Sequence, residues 1–229
     1  MTEQLTLPKR TFVIGDIHGC AATLRQLVDV VIHVSQNDRL YLLGDLIDRG
    51  PDSKGVLDFV FELRERGVEV NSVRGNHEEM YLKGCGDAYF MKLWSSNGGQ
   101  TTLSSFQADG PGDIPGRYRD LMRSFPLYIL LDDFVLVHAG LNFDLSNPFD
   151  DTSAMLWSRS TYVDRQKTDG RRLICGHTPV SRDQLEASLN NNKIMLDNGC
   201  VFGGRPDMGC LAALELENMM AYYQENIDS

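Results

Sequence analysis

Thr11-Phe-Val-Ile-Gly-Asp-Ile-His-Gly19 is a short β-prone run that breaks at a glycine and then delivers an aspartate and a histidine. The same placement recurs without a histidine in Arg39-Leu-Tyr-Leu-Leu-Gly-Asp-Leu-Ile-Asp-Arg-Gly50, and with asparagine before the histidine in Val68-Glu-Val-Asn-Ser-Val-Arg-Gly-Asn-His-Glu78. Between these runs, Leu24, Leu27, Val28, Val31 and Ile32 fall at helical spacing, as do Val56, Leu57, Val60, Phe61 and Leu63. Pro51 and Asp52 open the second helix and Gly67 closes it. The order β-α-β-α-β predicts parallel strands joined by crossover helices.

Residues 79–124 break this rhythm. Helical pieces alternate with Gly84, Gly86 and Gly98-Gly99, followed by a turn-rich stretch from Asp109 to Gly116. They are expected to form an insertion over one face, within a single domain spanning residues 1–229. Strands resume at Tyr128–Leu131, Phe134–Val137, Arg172–Cys175, Lys193–Leu196 and Gly209–Leu216. The tight Asp132-Asp133 turn predicts antiparallel hairpins in this half. The expected class is α/β with α+β character: two sheets packed face to face, with helices outside.

The 229 residues carry 22 basic and 32 acidic side chains, a net charge of −10. Such a surface repels nucleic-acid backbones and anionic membranes, so neither is an expected partner. The five cysteines form no CxxC pair, which fits a reducing cytoplasm. Met1–Arg10 has no apolar signal-peptide core, and no apolar run approaches membrane-spanning length. Oligomeric state has no signature here.

Four of the five histidines lie in polar clusters that follow apolar runs: His18, His77, His138 and His177. In an extended segment Asp16 and His18 point the same way and can share a cation. Alone, that pair reads better as a helix cap at Asp16 beside a surface histidine. Asp45 has two oxygens and can bridge two ions, Asn76 offers an amide oxygen, and His138 and His177 offer nitrogens. Together they make a two-ion site: Asp16, His18 and Asp45 on one ion, Asp45, Asn76, His138 and His177 on the other. Such a donor set suits Mn²⁺ first, with iron (Fe²⁺ or Fe³⁺) or Zn²⁺ as alternatives. Ions about 3.5–4 Å apart are the geometry that activates hydroxide against phosphorus.

Arg49 and Arg74, each beside such a cluster, present planar forks that match phosphate oxygens, although most arginines form surface ion pairs. His77 follows a proposed ligand, so its ring points elsewhere and can protonate a leaving oxygen, with Asp48 orienting it. A third ligand or a structural residue are its other readings. Glu78 is assigned to local hydrogen bonding and His33 to the surface.

These motifs, with Gly15-Asp-Ile-His-Gly19, Gly44-Asp-Leu-Ile-Asp-Arg-Gly50, Gly75-Asn-His-Glu78, His138-Ala-Gly140 and Gly176-His177 in order, resemble the calcineurin-like metallophosphoesterases. The Asp-Arg-Gly and Asn-His-Glu forms are similar to those of bacterial and bacteriophage serine/threonine phosphatases. The resemblance implies a four-layer fold, a β-sandwich of mixed sheets flanked by helices. It also implies a dinuclear metal centre, one-step hydrolysis by metal-bound hydroxide, His77 with Asp48 as the acid pair, and Arg49, Arg74 and Asn76 on the phosphate. Leu156-Trp-Ser-Arg159 looks like the segment that adds a third phosphate-binding arginine, Arg159. Asp197-Asn-Gly199 resembles a supporting Asp-Thr-Gly. One departure is His138-Ala-Gly140 in place of His-Gly-Gly, tolerable unless the backbone at Ala139 needs positive φ.

The expected function is therefore a metal-dependent phosphomonoesterase acting on phosphoserine or phosphothreonine, with a phosphoprotein or a phosphorylated small molecule as partner. A symmetrical dinucleoside polyphosphate hydrolase is the alternative within enzymes. A non-catalytic interaction domain is the alternative outside them, and the full ligand set argues against it.

Overall fold

The computed structural model describes residues 9–205 and 207–228, so the first eight residues of the stretch judged to lack a signal core lie outside the described ones. Strands β1 (Thr11–Ile14), β2 (Arg39–Leu42) and β3 (Glu69–Ser72) run parallel, with Thr11 opposite Arg39 and Arg39 opposite Glu69. Their crossovers are α1 (Ala21–Arg25), which widens into a π-helical turn over Gln26–Val31, and α2 (Ser53–Glu65), capped by the Asp52 carboxylate accepting from Gly55 N–H. Four helices follow: α3 (Asn76–Gly84), α4 (Ala88–Trp94), α5 (Gln100–Phe106) and α6 (Gly116–Ser124). Next come β4 (Tyr128–Leu130), β5 (Phe134–Val137), α7 (Thr152–Trp157), β6 (Arg172–Cys175), α8 (Arg182–Ser188), β7 (Lys193–Met195), β8 (Cys210–Glu215) and β9 (Met220–Glu225).

The first sheet has order β3-β2-β1-β8-β9, the second β4-β5-β6-β7, and each mixes parallel and antiparallel pairs. Strand alternation assigns the layers. Phe12, Ile14, Leu40 and Leu42 face the helices, whereas Val13, Tyr41 and Leu43 face Phe134, Leu136, Ile174 and Ile194 of the other sheet. Val135, Val137, Leu173 and Cys175 turn outward onto Leu141, Phe143 and Met155. The expected sandwich of mixed sheets flanked by helices is what forms. Among the described residues no helix is long and apolar enough to cross a membrane.

Residues 79–124 differ from the expectation. They begin inside a helix, since α3 starts at Asn76. Tyr81, Trp94, Leu103, Tyr118 and Leu121 are buried in the same cluster as Phe12 and Ile14. Rather than capping a finished face, α3–α6 complete the helical layer. Strand β9 and helices α7 and α8 were not anticipated; β9 is a sheet edge whose residues are partly exposed, so its pattern carries little periodic signal.

Candidate active site

The segments leaving β1, β2, β5 and β6 meet at one edge of the sandwich. His18 N–H donates to Asp45 C=O at 2.8 Å, Gly176 N–H to His138 C=O at 2.8 Å, and His177 N–H to the Asp16 carboxylate at 2.9 Å. Backbone strain collects here. Among the described residues ten non-glycine residues have positive φ, and His18, Asp45, Asp48, Arg49 and His177 are half of them. Approach is close as well: a Cβ on Gly75 would lie 2.2 Å from Asp45 Oδ1. Ala139 is not among the positive-φ residues, so its methyl costs the backbone nothing.

Asp45 is the hub. Its Oδ2 lies 3.5 Å from His138 Nε2, 3.6 Å from His18 Nε2 and 3.9 Å from His77 Nε2, while its Oδ1 accepts from His77 N–H at 3.0 Å. Two sets of potential metal ligands have their atoms within 4.8 Å of one another, His18–Asp45–His77 and Asp45–His138–His177. His77 thus stands within ligand distance of Asp45 and His18, beside the third-ligand reading left open for it. Asn76 Oδ1 lies 2.8 Å from His138 Nε2 and 2.9 Å from His177 Nδ1, and Asp16 Oδ1 is 4.0 Å from the His138 ring.

These donors fit divalent cations. His138 Nδ1 faces the Leu43 carbonyl at 2.7 Å and His18 Nδ1 the Ile47 carbonyl at 3.0 Å, so both Nδ1 atoms carry hydrogen. Burial lowers the pKa of both rings and keeps them neutral. The His138 Nε2 lone pair then faces the oxygens of Asn76 and Asp45, and a cation resolves that conflict. Asp16 Oδ1 and His177 Nε2 are buried without a hydrogen-bond partner. Burial, with Asp197 and Asp45 nearby, raises the Asp16 pKa well above the carboxylate range. Burial pushes Asp197 up to about 7, and burial beside His138 pushes His177 down to about 3. Burial also opposes the Asp45 carboxylate, but His138, His77 and His18 outweigh it and pull its pKa below the usual range. Anionic oxygens crowded against lone-pair nitrogens are a cation site by chemistry.

His77 and Asp48 form a separate device. His77 Nδ1 meets Asp48 Oδ2 at 2.6 Å, and its Nε2 is buried with no partner. Burial disfavours the imidazolium, yet Asp45 and Asp48 outweigh it and raise the His77 pKa. Asp48 is clamped by Trp94 Nε1–H at 2.9 Å and by the Thr102 hydroxyl at 2.6 Å. Sequence reasoning missed both; Gly98-Gly99, between them, was the nearest signal. Glu78 accepts from the N–H groups of Asp45, Leu46 and Gly75 at 2.8–2.9 Å, pinning the Asp45 loop to α3.

The arginines differ. Arg49 Nη1–H donates to His18 Nε2 at 2.6 Å, using the lone pair a metal would take, so it must withdraw when that nitrogen binds an ion. Arg159 is exposed and close enough to depress the proton affinity of His177 and Asp197. Arg74 is turned elsewhere: it donates to Glu79 at 3.0 Å and to the Arg123 carbonyl at 2.8 Å. Buried Lys193, also missed, donates to the carbonyls of Ala139 and Ser160 at 2.7 and 2.9 Å, tying the His138 loop to the segment after α7.

The family model for calcineurin-like phosphoesterases matches residues 9–206. A bis(5'-nucleosyl)-tetraphosphatase of the asymmetrical type, PrpE from Anoxybacillus flavithermus, is 31% identical over 84% of this chain and 86% of that protein. Serine/threonine-protein phosphatase 1 of Salmonella typhimurium is 31% identical over 86% of this chain and 89% of its own. A crystal structure of a provisionally assigned diadenosine tetraphosphatase shares the fold at TM-score 0.65, with 23% identity over 97% of each chain.

Proposed function

The chain belongs to the calcineurin-like phosphoesterases, and from that premise we propose that it hydrolyses dinucleoside polyphosphates, splitting diadenosine tetraphosphate asymmetrically with two divalent cations. The observation that carries the hydrolytic chemistry is the convergence of Asp16, His18, Asp45, Asn76, His138 and His177 beside the His77–Asp48 pair. Cations held by these donors would supply water activation and charge neutralisation at phosphorus. Manganese is the first choice for this mixture of carboxylate, amide and imidazole, with iron or zinc also accommodated.

The protein's own groups do the rest. Arg49, freed from His18, and Arg159 grip phosphate oxygens, and Arg74 joins them only by leaving Glu79. Water adds its oxygen to phosphorus and releases one proton to solvent while the bridging P–O bond breaks. The departing oxygen takes the proton from His77 Nε2, and Asp48 holds the ring at Nδ1.

Support for the substrate comes from the PrpE relatives, named for the asymmetrical activity rather than the symmetrical one kept as the alternative. The Salmonella phosphatase favours a second reading, protein phosphoserine or phosphothreonine. Manganese-loaded protein incubated with diadenosine tetraphosphate and with a phosphopeptide separates these. AMP plus ATP is the expected product pair. Two ADP would restore the symmetrical activity, and an intact dinucleotide beside a dephosphorylated peptide would make it a protein phosphatase.

A further inference from the structure

A cavity of about 420 Å³ opens directly beside the cluster, within the range of small-molecule sites. Trp157, at the end of α7, forms their shared wall: its ring stands edge-on to His177 at 6.0 Å and is 42% exposed. Tyr162 also lines the cavity, is 65% exposed and contacts Phe143 edge-on at 5.9 Å. Two large aromatic surfaces that line one cavity offer planar faces on which a flat group can stack.

The polar lining narrows the choice of occupant. Asp144 and Asp151 contribute carboxylates and Asn142 an amide. Asp151 is occupied in capping α7 and in accepting from Asn142 Nδ2 at 2.8 Å. The Asp144 carboxylate is exposed and accepts no hydrogen bond among the described residues. An acidic cavity repels phosphate and accepts from hydroxyl and amino groups. Phosphate belongs instead with Arg159, which lies between Trp157 and Tyr162 in the chain. One short segment therefore offers an aromatic face, a cation and a second aromatic face in sequence.

We propose that this cavity is the nucleoside subsite: the base stacks on Trp157 and Tyr162, and the ribose hydroxyls donate to Asp144. It rests on the dinucleotide reading and deepens it. The subsite makes the enzyme select substrates by what is attached to the phosphate, which the metal cluster alone does not do.

The test uses manganese-loaded protein, with AMP and inorganic phosphate as competing inhibitors of p-nitrophenyl phosphate hydrolysis. Phosphate lacks the nucleoside, so the ratio of the two inhibition constants reports the subsite alone. Tyr162→Ala, at a largely exposed position, should weaken AMP relative to phosphate about fivefold or more, as expected for a lost base–aromatic stack. The KM for diadenosine tetraphosphate should rise by a similar factor with little change in kcat. Trp157→Leu should act in the same direction. If the wild type leaves diadenosine tetraphosphate intact while cleaving p-nitrophenyl phosphate, the dinucleotide reading falls and the subsite with it. If the wild type cleaves it and the AMP-to-phosphate ratio stays unmoved in both variants, the subsite alone is overturned.

Discussion

The two walls of the site are built on opposite principles. On the helical side, Asp48 is fully buried and receives hydrogen bonds from His77, Trp94 and Thr102, leaving its carboxylate one geometry. On the α7 side, Trp157, Arg159 and Tyr162 are exposed, and the two aromatic residues border an open cavity. A closed, satisfied wall fixes where a proton sits; an open wall leaves aromatic and charged groups free to meet a ligand. On the proposed reading, chemistry and selectivity would be carried by different parts of the chain.

Breaking the closed wall at its centre should cost most. His77→Asn is expected to slow alkyl phosphates by about 10²- to 10⁴-fold and aryl phosphates far less, because a good leaving group needs little protonation. Steady-state rates on matched alkyl and aryl esters check this; equal losses would remove His77 from the acid role. Gly75→Ala comes next. The added methyl collides with Asp45 Oδ1, and a displacement of that kind costs on the order of 10²-fold in turnover. A variant with unaltered rates would mean that the Asp45 loop is not held where its neighbours put it.

A subtler cut is Thr102→Val, which keeps the side chain's shape but removes the hydroxyl that donates to Asp48. Losing a buried hydrogen bond to a charged group should lower stability by about 1.5–3 kcal/mol, read by urea denaturation. The rate on alkyl phosphates should fall more than that on aryl phosphates, a split that a purely structural role would not give. The smallest effect is expected from His33→Ala. This exposed histidine belongs to neither wall, and kcat/KM on p-nitrophenyl phosphate should match the wild type.

The walls were also unequally legible in the sequence. Strand-end motifs were readable because each is contiguous: parallel neighbours finish at the same end of a sheet, so the polar residues after β1, β2 and β3 share one end, as do those after β5 and β6. The clamp on Asp48 was not, since Trp94 and Thr102 lie 46 and 54 residues away and sit in helices whose glycine breaks suggested a loose insertion. Arg74 shows the limit of adjacency. Its place beside Gly75-Asn76 put it on the phosphate, but Glu79, one helical turn further on, takes its guanidinium. The open wall carried only the Leu156-Trp-Ser-Arg159 signal, and nothing local in the chain reveals that Tyr162 borders the same cavity as Trp157.

The proposed hydrolytic chemistry depends on Asp45 joining two cation positions into one centre. Metal analysis after manganese reconstitution, on the wild type and on Asp45→Ala, tests this most directly. Two manganese ions per chain are expected in the wild type and fewer than one in the variant. Two ions retained in Asp45→Ala would contradict the bridge.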